Sequence, residues 1–217
     1  MSAATPLPRV SAVDALVAVL RQQILDGELR PGERLVEREL VERYDVARHT
    51  LRAALRQLQA DGLVRLEPNR GASVARLEPH ELADLFDLRL ALEREAAHLA
   101  LDRHGGRLPA AVHDAAERLD RVARRRRSSW ADVAVAHNAV HGALVAAAQA
   151  PRIERAYTAL EAELRVFVTQ LRPAWRRDRL GPDHLELVAA IEREGPEVLR
   201  AHMAESLAAL SVSSPAG

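Results

Sequence analysis

The chain has 217 residues, 48% hydrophobic and 29% charged, with zero formal net charge, so it carries enough apolar mass for one large folded domain or two small ones and too much for a disordered chain. Cysteine is absent, which excludes a disulfide framework and thiolate metal ligands; any transition metal must be held by histidine and carboxylate.

The opening "MSAATPLPRVSAV" lacks the charged-then-apolar pattern of a signal peptide. No apolar run approaches the roughly 20 residues that span a bilayer. The expectation is a soluble cytoplasmic protein without a membrane partner. Residues 11–27 place Val13, Leu16, Val17, Leu20 and Ile24 on a helical stripe that Gly27 closes. "ELRPGERL" reads as a Pro-Gly turn. A short helix over 36–44 turns Leu40, Val41 and Tyr44 inward, "DVAR" reverses the chain, and a helix over 47–61 buries Leu51, Ala54, Leu55 and Leu58. "LVRLEP" and "GASVARL" alternate apolar and polar residues about "NR", the pattern of a small β-hairpin. Near residue 77 the pattern changes. Beyond it only helical periodicity remains, predicting helices over 79–104, 108–125, 129–149, 151–172, 183–194 and 196–211. They are punctuated by "HGGRLP", "SSWAD" with Ser129 as N-cap, "AP", "LGPD" and "EGP". The expected fold class is mainly α: residues 1–77 read as helix, helix, turn, helix and β-hairpin, and residues 78–217 as an all-helical bundle of six helices. The run "RRRR" at 124–127 ends a helix, where basic residues suit the dipole and solvent.

All 31 basic residues are arginine, a bias that a GC-rich coding sequence explains. Arginine also forks onto guanine and phosphate. On the 47–61 helix the apolar stripe leaves Arg48, His49, Thr50, Arg52 and Arg56 outward, mostly in the first two turns. Arg38 on the preceding helix points to the same side. This is the layout of a recognition helix entering a major groove, and Arg70 and Gly71 at the hairpin tip suit a minor groove. A generic helical module with a solvated basic face has the same pattern.

Residues 20–74 resemble the winged helix-turn-helix of GntR-family bacterial repressors. The resemblance rests on "ILDGELRPGERL", "EREL", "RHTLRAALRQLQADGLV" and "RG". It implies DNA contacts by Arg38, by Arg48, His49, Thr50 and Arg52, and by wing residues Arg70 and Gly71. This chain has His49, Thr50 and Ala53 where Thr, Pro and Glu are common in the family, so the operator sequence does not carry over.

The second half raises a different question. "AVAHNAVHGAL" sets His137 and His141 one helical turn apart on an apolar face. His184 and His202 also fall on apolar stripes of two other helices. A buried neutral imidazole needs partners for both nitrogens; core histidines with hydrogen bonds satisfy this, and so does a shared metal.

This half resembles the FCD effector domain of the FadR-like branch of the same family, through "DLFDLRLALEREAAHLA", "AHNAVHGALVAAAQAPRI" and "HLELVAAIEREGPEVLRAHMAESL". Six helices rather than seven point to the VanR-like version. The resemblance implies a metal held by an aspartate and three histidines. The histidines match His141, His184 and His202, and His137 replaces the aspartate. Four neutral imidazoles would leave a divalent ion at +2, favouring zinc or nickel over hard cations and favouring an anionic ligand. Arg89 matches an arginine near the family's ligand pocket and either clamps a carboxylate or forms a surface pair with Glu93. The resulting expectation is a homodimeric, metabolite-responsive regulator that binds double-stranded operator DNA and answers to a small organic acid. Two other readings are a regulator whose bundle only dimerises and a metal-dependent hydrolase with Glu186 or Glu205 as base.

Overall fold

The structure is a computed structural model that describes residues 11–171 and 176–213. The first ten residues and the end of the expected 78–217 unit lie outside the described residues. Helix α1 spans Ala12–Leu25 and opens with a capping box between Ser11 and Asp14. Strand β1 is Arg34–Leu35, α2 is Glu37–Tyr44, α3 is Arg48–Ala60, β2 is Val64–Glu67 and β3 is Gly71–Val74. Helix α2 ends where Asp45 takes a left-handed conformation, φ 48°, and this makes the tight turn into α3. Leu51, Ala54, Leu55 and Leu58 of α3 bury against Leu16, Leu20 and Ile24 of α1, as the stripe requires.

The sheet runs β1-β3-β2, antiparallel throughout, with Leu35 opposite Ala72 and Val64 opposite Val74. The hairpin turns through Asn69 at φ 64° and Gly71 at φ 87°. Strand β1 was read as part of a turn because two residues are too few to show alternation.

Seven helices follow: α4 Pro79–Arg103, α5 Ala110–Arg124, α6 Trp130–Ala147, α7 Pro151–Thr158, α8 Glu161–Leu171, α9 Arg177–Glu194 and α10 Val198–Ser213. Helix α6 lies at the centre, against α4, α5, α7 and α8, while α5 packs on α6 and α9. Alanines 96, 97, 100 and 116 are fully buried, so the helices approach closely around few large side chains.

Two boundaries differ from expectation. The helix expected over 151–172 breaks at Ala159–Leu160, with no glycine or proline to announce it. The bend turns Tyr157 of α7 and Leu164 and Phe167 of α8 into one core. Among the described residues the bundle therefore has seven helices where six were expected. Helix α9 also runs through "LGPD" instead of starting after it. Gly181 sits flat against the backbone and side chain of Asp120 on α5, where a Cβ would collide. Close packing outweighs the helix-breaking tendency of Gly181-Pro182.

Candidate functional site

The head carries basic residues on α2 and α3. Arg38, Arg48, His49, Arg52 and Arg56 are exposed. Ala47 caps α3 without a side-chain hydrogen bond, so the first N–H groups of α3 and their dipole remain available to an anion. Arg52 pairs with Glu37 of α2 at 3.0 Å and must exchange that partner to reach a base. Arg70 stands out on the wing with its side chain 83% exposed, 3.5 Å from Glu67. Thr50 departs from its expected exposure. It lies four residues before Ala54 and eight before Leu58, on the buried stripe, and is only 9% exposed.

In the bundle, α6 brings His137 and His141, α9 brings His184 and α10 brings His202. Ring centroids of His137 lie 4.9 Å from His141 and 4.8 Å from His184. His202 lies 4.9 Å from His184 and 5.7 Å from His141. Candidate ligand nitrogens of His137, His141 and His184 all fall within 4.8 Å of one another. Those three side chains are buried and His202 is half-buried. Of the four rings singled out, His137, His141 and His184 thus bring their ligand nitrogens together, while His202 lies beside His141 and His184 but outside that group.

Each of the three buried rings is aimed by a partner on Nδ1. His141 donates to Glu93 Oε2 at 2.8 Å, His184 to the Leu180 carbonyl at 2.8 Å, and His137 to Asn138 Oδ1 at 3.1 Å. With the proton on Nδ1, Nε2 carries the lone pair. The Nε2 atoms of His141 and His184 face each other at 3.3 Å. Two lone pairs at that distance repel unless a cation sits between them. A proton is disfavoured there: burial pushes all four imidazoles down, to about 4 for His184 and about 3 for His202, and neighbouring Arg89 adds to the effect. The donor set therefore fits a transition metal, with the Nδ1 acceptors as the outer partners that hold ligating imidazoles in place.

Beneath the rings lies a charge pair that the sequence reading only half saw. Arg89 Nε donates to Glu93 Oε1 at 2.7 Å, and Tyr157 Oη donates to the same oxygen at 3.0 Å. Glu93 is fully buried and Arg89 nearly so, which corrects the surface-pair alternative for Arg89. The guanidinium also lies 6.0 Å from the ring centres of Phe86 and Phe167. Glu93 and Tyr157 were missed as members of the site. The signal for Glu93 was present: with Arg89 it interrupts the α4 stripe of Leu85, Phe86, Ala96, Ala97 and Ala100, as the histidines interrupt theirs. The two carboxylates weighed as hydrolytic bases do not stand beside the rings. Glu186 pairs with Arg193 at the surface, and Glu205 is exposed.

A winged helix-turn-helix head on a helical bundle with a buried polar cluster defines a transcription regulator with a separate sensing unit. Residues 12–74 match the family described as bacterial regulatory proteins, gntR family, and residues 84–209, more than half of the chain, match the FCD domain. The chain belongs to the GntR family of transcription regulators, in its FCD subfamily, which are not enzymes. It is 29% identical over 222 residues to the HTH-type transcriptional regulator BphR of Paraburkholderia xenovorans, covering 94% of this chain and 88% of BphR. It is 32% identical over 83 residues to the regulator YdhC of Bacillus subtilis, a match spanning 38% of this chain and 37% of YdhC. A crystal structure of a GntR regulator from Rhodococcus sp. RHA1 shares the fold, with TM-score 0.65 and 24% identity over 94% of this chain and 99% of that one. Among the described residues no helix is long and apolar enough to cross a membrane.

Proposed function

We propose that the protein is a homodimeric repressor acting on chromosomal DNA in the cytoplasm, with residues 1–77 as the DNA head and 78–217 as the effector and dimerisation unit. Two heads related by a two-fold axis meet two half-sites of a near-palindromic operator. Arg38, Arg48, His49 and Arg52 face the major groove, with Thr50 behind them, and Arg70 and Gly71 reach the minor groove. A protein seated on its operator blocks transcription, which makes repression the direct outcome.

His137, His141, His184 and His202 hold a divalent transition metal, zinc or nickel, and a small organic acid is the effector. Bound there, the ion supplies positive charge and a coordination position for a ligand carboxylate. Because Glu93 offsets Arg89, the ion's charge is otherwise uncompensated, which favours an anionic ligand. Arg89 adds a guanidinium on the same side, with Nε already held by Glu93. The observation that carries this reading is the convergence of the buried imidazoles of His137, His141 and His184, with His202 alongside His141 and His184.

The test is selection of operator fragments from random DNA by the zinc-loaded protein, followed by competition with a panel of mono- and dicarboxylic acids. Enrichment of a near-palindromic sequence, released by at least one acid, is the expected result. Enrichment without response to any acid would favour a bundle that only dimerises. No enrichment would overturn the reading.

A further inference from the structure

The head does not hang from the bundle by its linker alone. Gln170 of α8 grips the linker at Leu77 on both sides, accepting from its N–H at 2.7 Å and donating to its carbonyl at 3.0 Å. At the far end of α3, Gly62 at φ +74° lies so close to α8 that a Cβ would come within 2.5 Å of the Ala162 Cβ, and Arg165 donates to the Asp61 carbonyl at 3.3 Å. Arg65 of β2 pairs with Glu81 of α4 at 3.1 Å.

A further polar contact reaches the histidine helix itself. Asp26, which ends α1, accepts through Oδ1 from the N–H groups of Trp130 at 2.9 Å and Ala131 at 3.3 Å. Gln22 of α1 holds the other carboxylate oxygen. These amides are the first of α6, whose own N-cap, Ser129, serves Asp132. A carboxylate of the head thus completes the N-terminus of α6, where the helix dipole favours negative charge. His137 and His141 lie about 10 and 16 Å further along the same rod, at about 1.5 Å per residue.

From this arrangement we infer that Asp26 is the positioning residue that ties the state of the histidine cluster to the DNA head. Occupation of the cluster fixes His137 and His141 relative to His184 on α9, and so fixes α6 along and about its axis. Asp26 moves with the first turn of α6, and α1 moves with Asp26. Arg21 of α1 pairs with Asp61 at the end of α3, so the recognition helix is carried along. The contacts at α8 serve as the pivot against which this movement turns the head. Asp26 itself is outside the DNA-facing residues and outside the metal-ligand set. The inference rests on the metal reading above.

The experiment measures operator affinity by fluorescence anisotropy for full-length protein, zinc-loaded and chelator-stripped, alongside zinc uptake by titration. Wild type should take up one zinc per chain and show operator affinities that differ about fivefold or more between the two states, the scale of a typical coupling between sites. Asp26→Ala should keep zinc uptake while the ratio falls below about twofold. Asp26→Asn, which keeps an oxygen acceptor, should restore much of the ratio and guards against a variant that merely folds badly. An Asp26→Ala protein with the wild-type ratio overturns the inference, as does a wild type that takes up zinc without change in operator affinity. A wild type that takes up no zinc overturns the metal reading, and this inference with it.

Discussion

The head keeps its charges outside and the bundle keeps several of its own inside. Among the described residues of the head Thr50 is the one buried polar side chain and no charged side chain is buried, while Arg48, His49 and Arg52 lie on the surface. In the bundle Arg89, Glu93, His137, His141 and His184 are each buried. A surface guanidinium can be removed without disturbing the fold. A buried ionic group cannot, because its partner is then left desolvated and unpaired. DNA reading should therefore be separable from stability in the head, whereas sensing and stability share the same side chains in the bundle.

Acid gives the largest expected separation between the two regions. An unfolded histidine titrates near 6.5, and the buried imidazoles titrate lower because burial disfavours their charged form. Their contribution is fully present above pH 6.5 and is lost as pH falls toward about 4, where His184 titrates. Each of the three fully buried rings contributes a slope of up to about 1.4 kcal/mol per pH unit. Denaturant unfolding of chelator-stripped protein should show bundle stability falling steeply between pH 6.5 and 4.5. A flat profile would break the comparison. Burial also delays competition from protons, so a bound metal should be retained well below pH 6.

Removing one partner of the buried pair comes next. Glu93→Ala leaves Arg89 without its carboxylate and His141 without its Nδ1 acceptor, and should destabilise the bundle by about 3–5 kcal/mol. Urea unfolding followed by circular dichroism measures this. A loss under about 1 kcal/mol would mean that water reaches the pair.

In the head, Arg48→Ala should weaken operator binding by about 1–3 kcal/mol with an unchanged melting temperature. Arg52→Ala should weaken it less, because Arg52 must leave Glu37 to bind DNA. Anisotropy titrations at fixed salt, with thermal melts of the same preparations, check both. A drop in melting temperature that matches the loss of binding would blur the contrast between the regions. The smallest effect belongs to Thr50. Being buried, it should tolerate Thr50→Val with operator affinity within about twofold of wild type, well below the scale of a base contact; a tenfold loss would place its hydroxyl at the DNA.

What the sequence made legible follows the same division. The head was readable almost residue by residue, because an amphipathic helix announces both faces: Leu51, Leu55 and Leu58 fixed the buried side, and the arginines took the other. Thr50 was misjudged because a small hydroxyl side chain fits either face. In the bundle, polar residues on apolar stripes marked the histidines, but spacing along one helix says nothing about which helices meet. Convergence needed the fold. Glu93 was hidden by its i, i+4 distance from Arg89, which reads equally well as a surface pair. The break at Ala159 and the continuation through Pro182 are packing decisions, made by Tyr157 with Phe167 and by Gly181 against Asp120, and they leave no local signal.

The proposed metal site of His137, His141, His184 and His202 is tested most directly by the metal itself. Chelator-stripped protein should be titrated with zinc and with nickel while metal uptake and the unfolding midpoint are followed together. One equivalent per chain is the predicted result, with stability rising by about 2.7 kcal/mol at free metal a hundredfold above the dissociation constant. His141→Ala should abolish both changes. Uptake below about a tenth of an equivalent, with no shift of the midpoint at any metal concentration, would contradict the claim and leave four histidines satisfied by hydrogen bonds alone, since the linkage relation then gives no binding to the folded state.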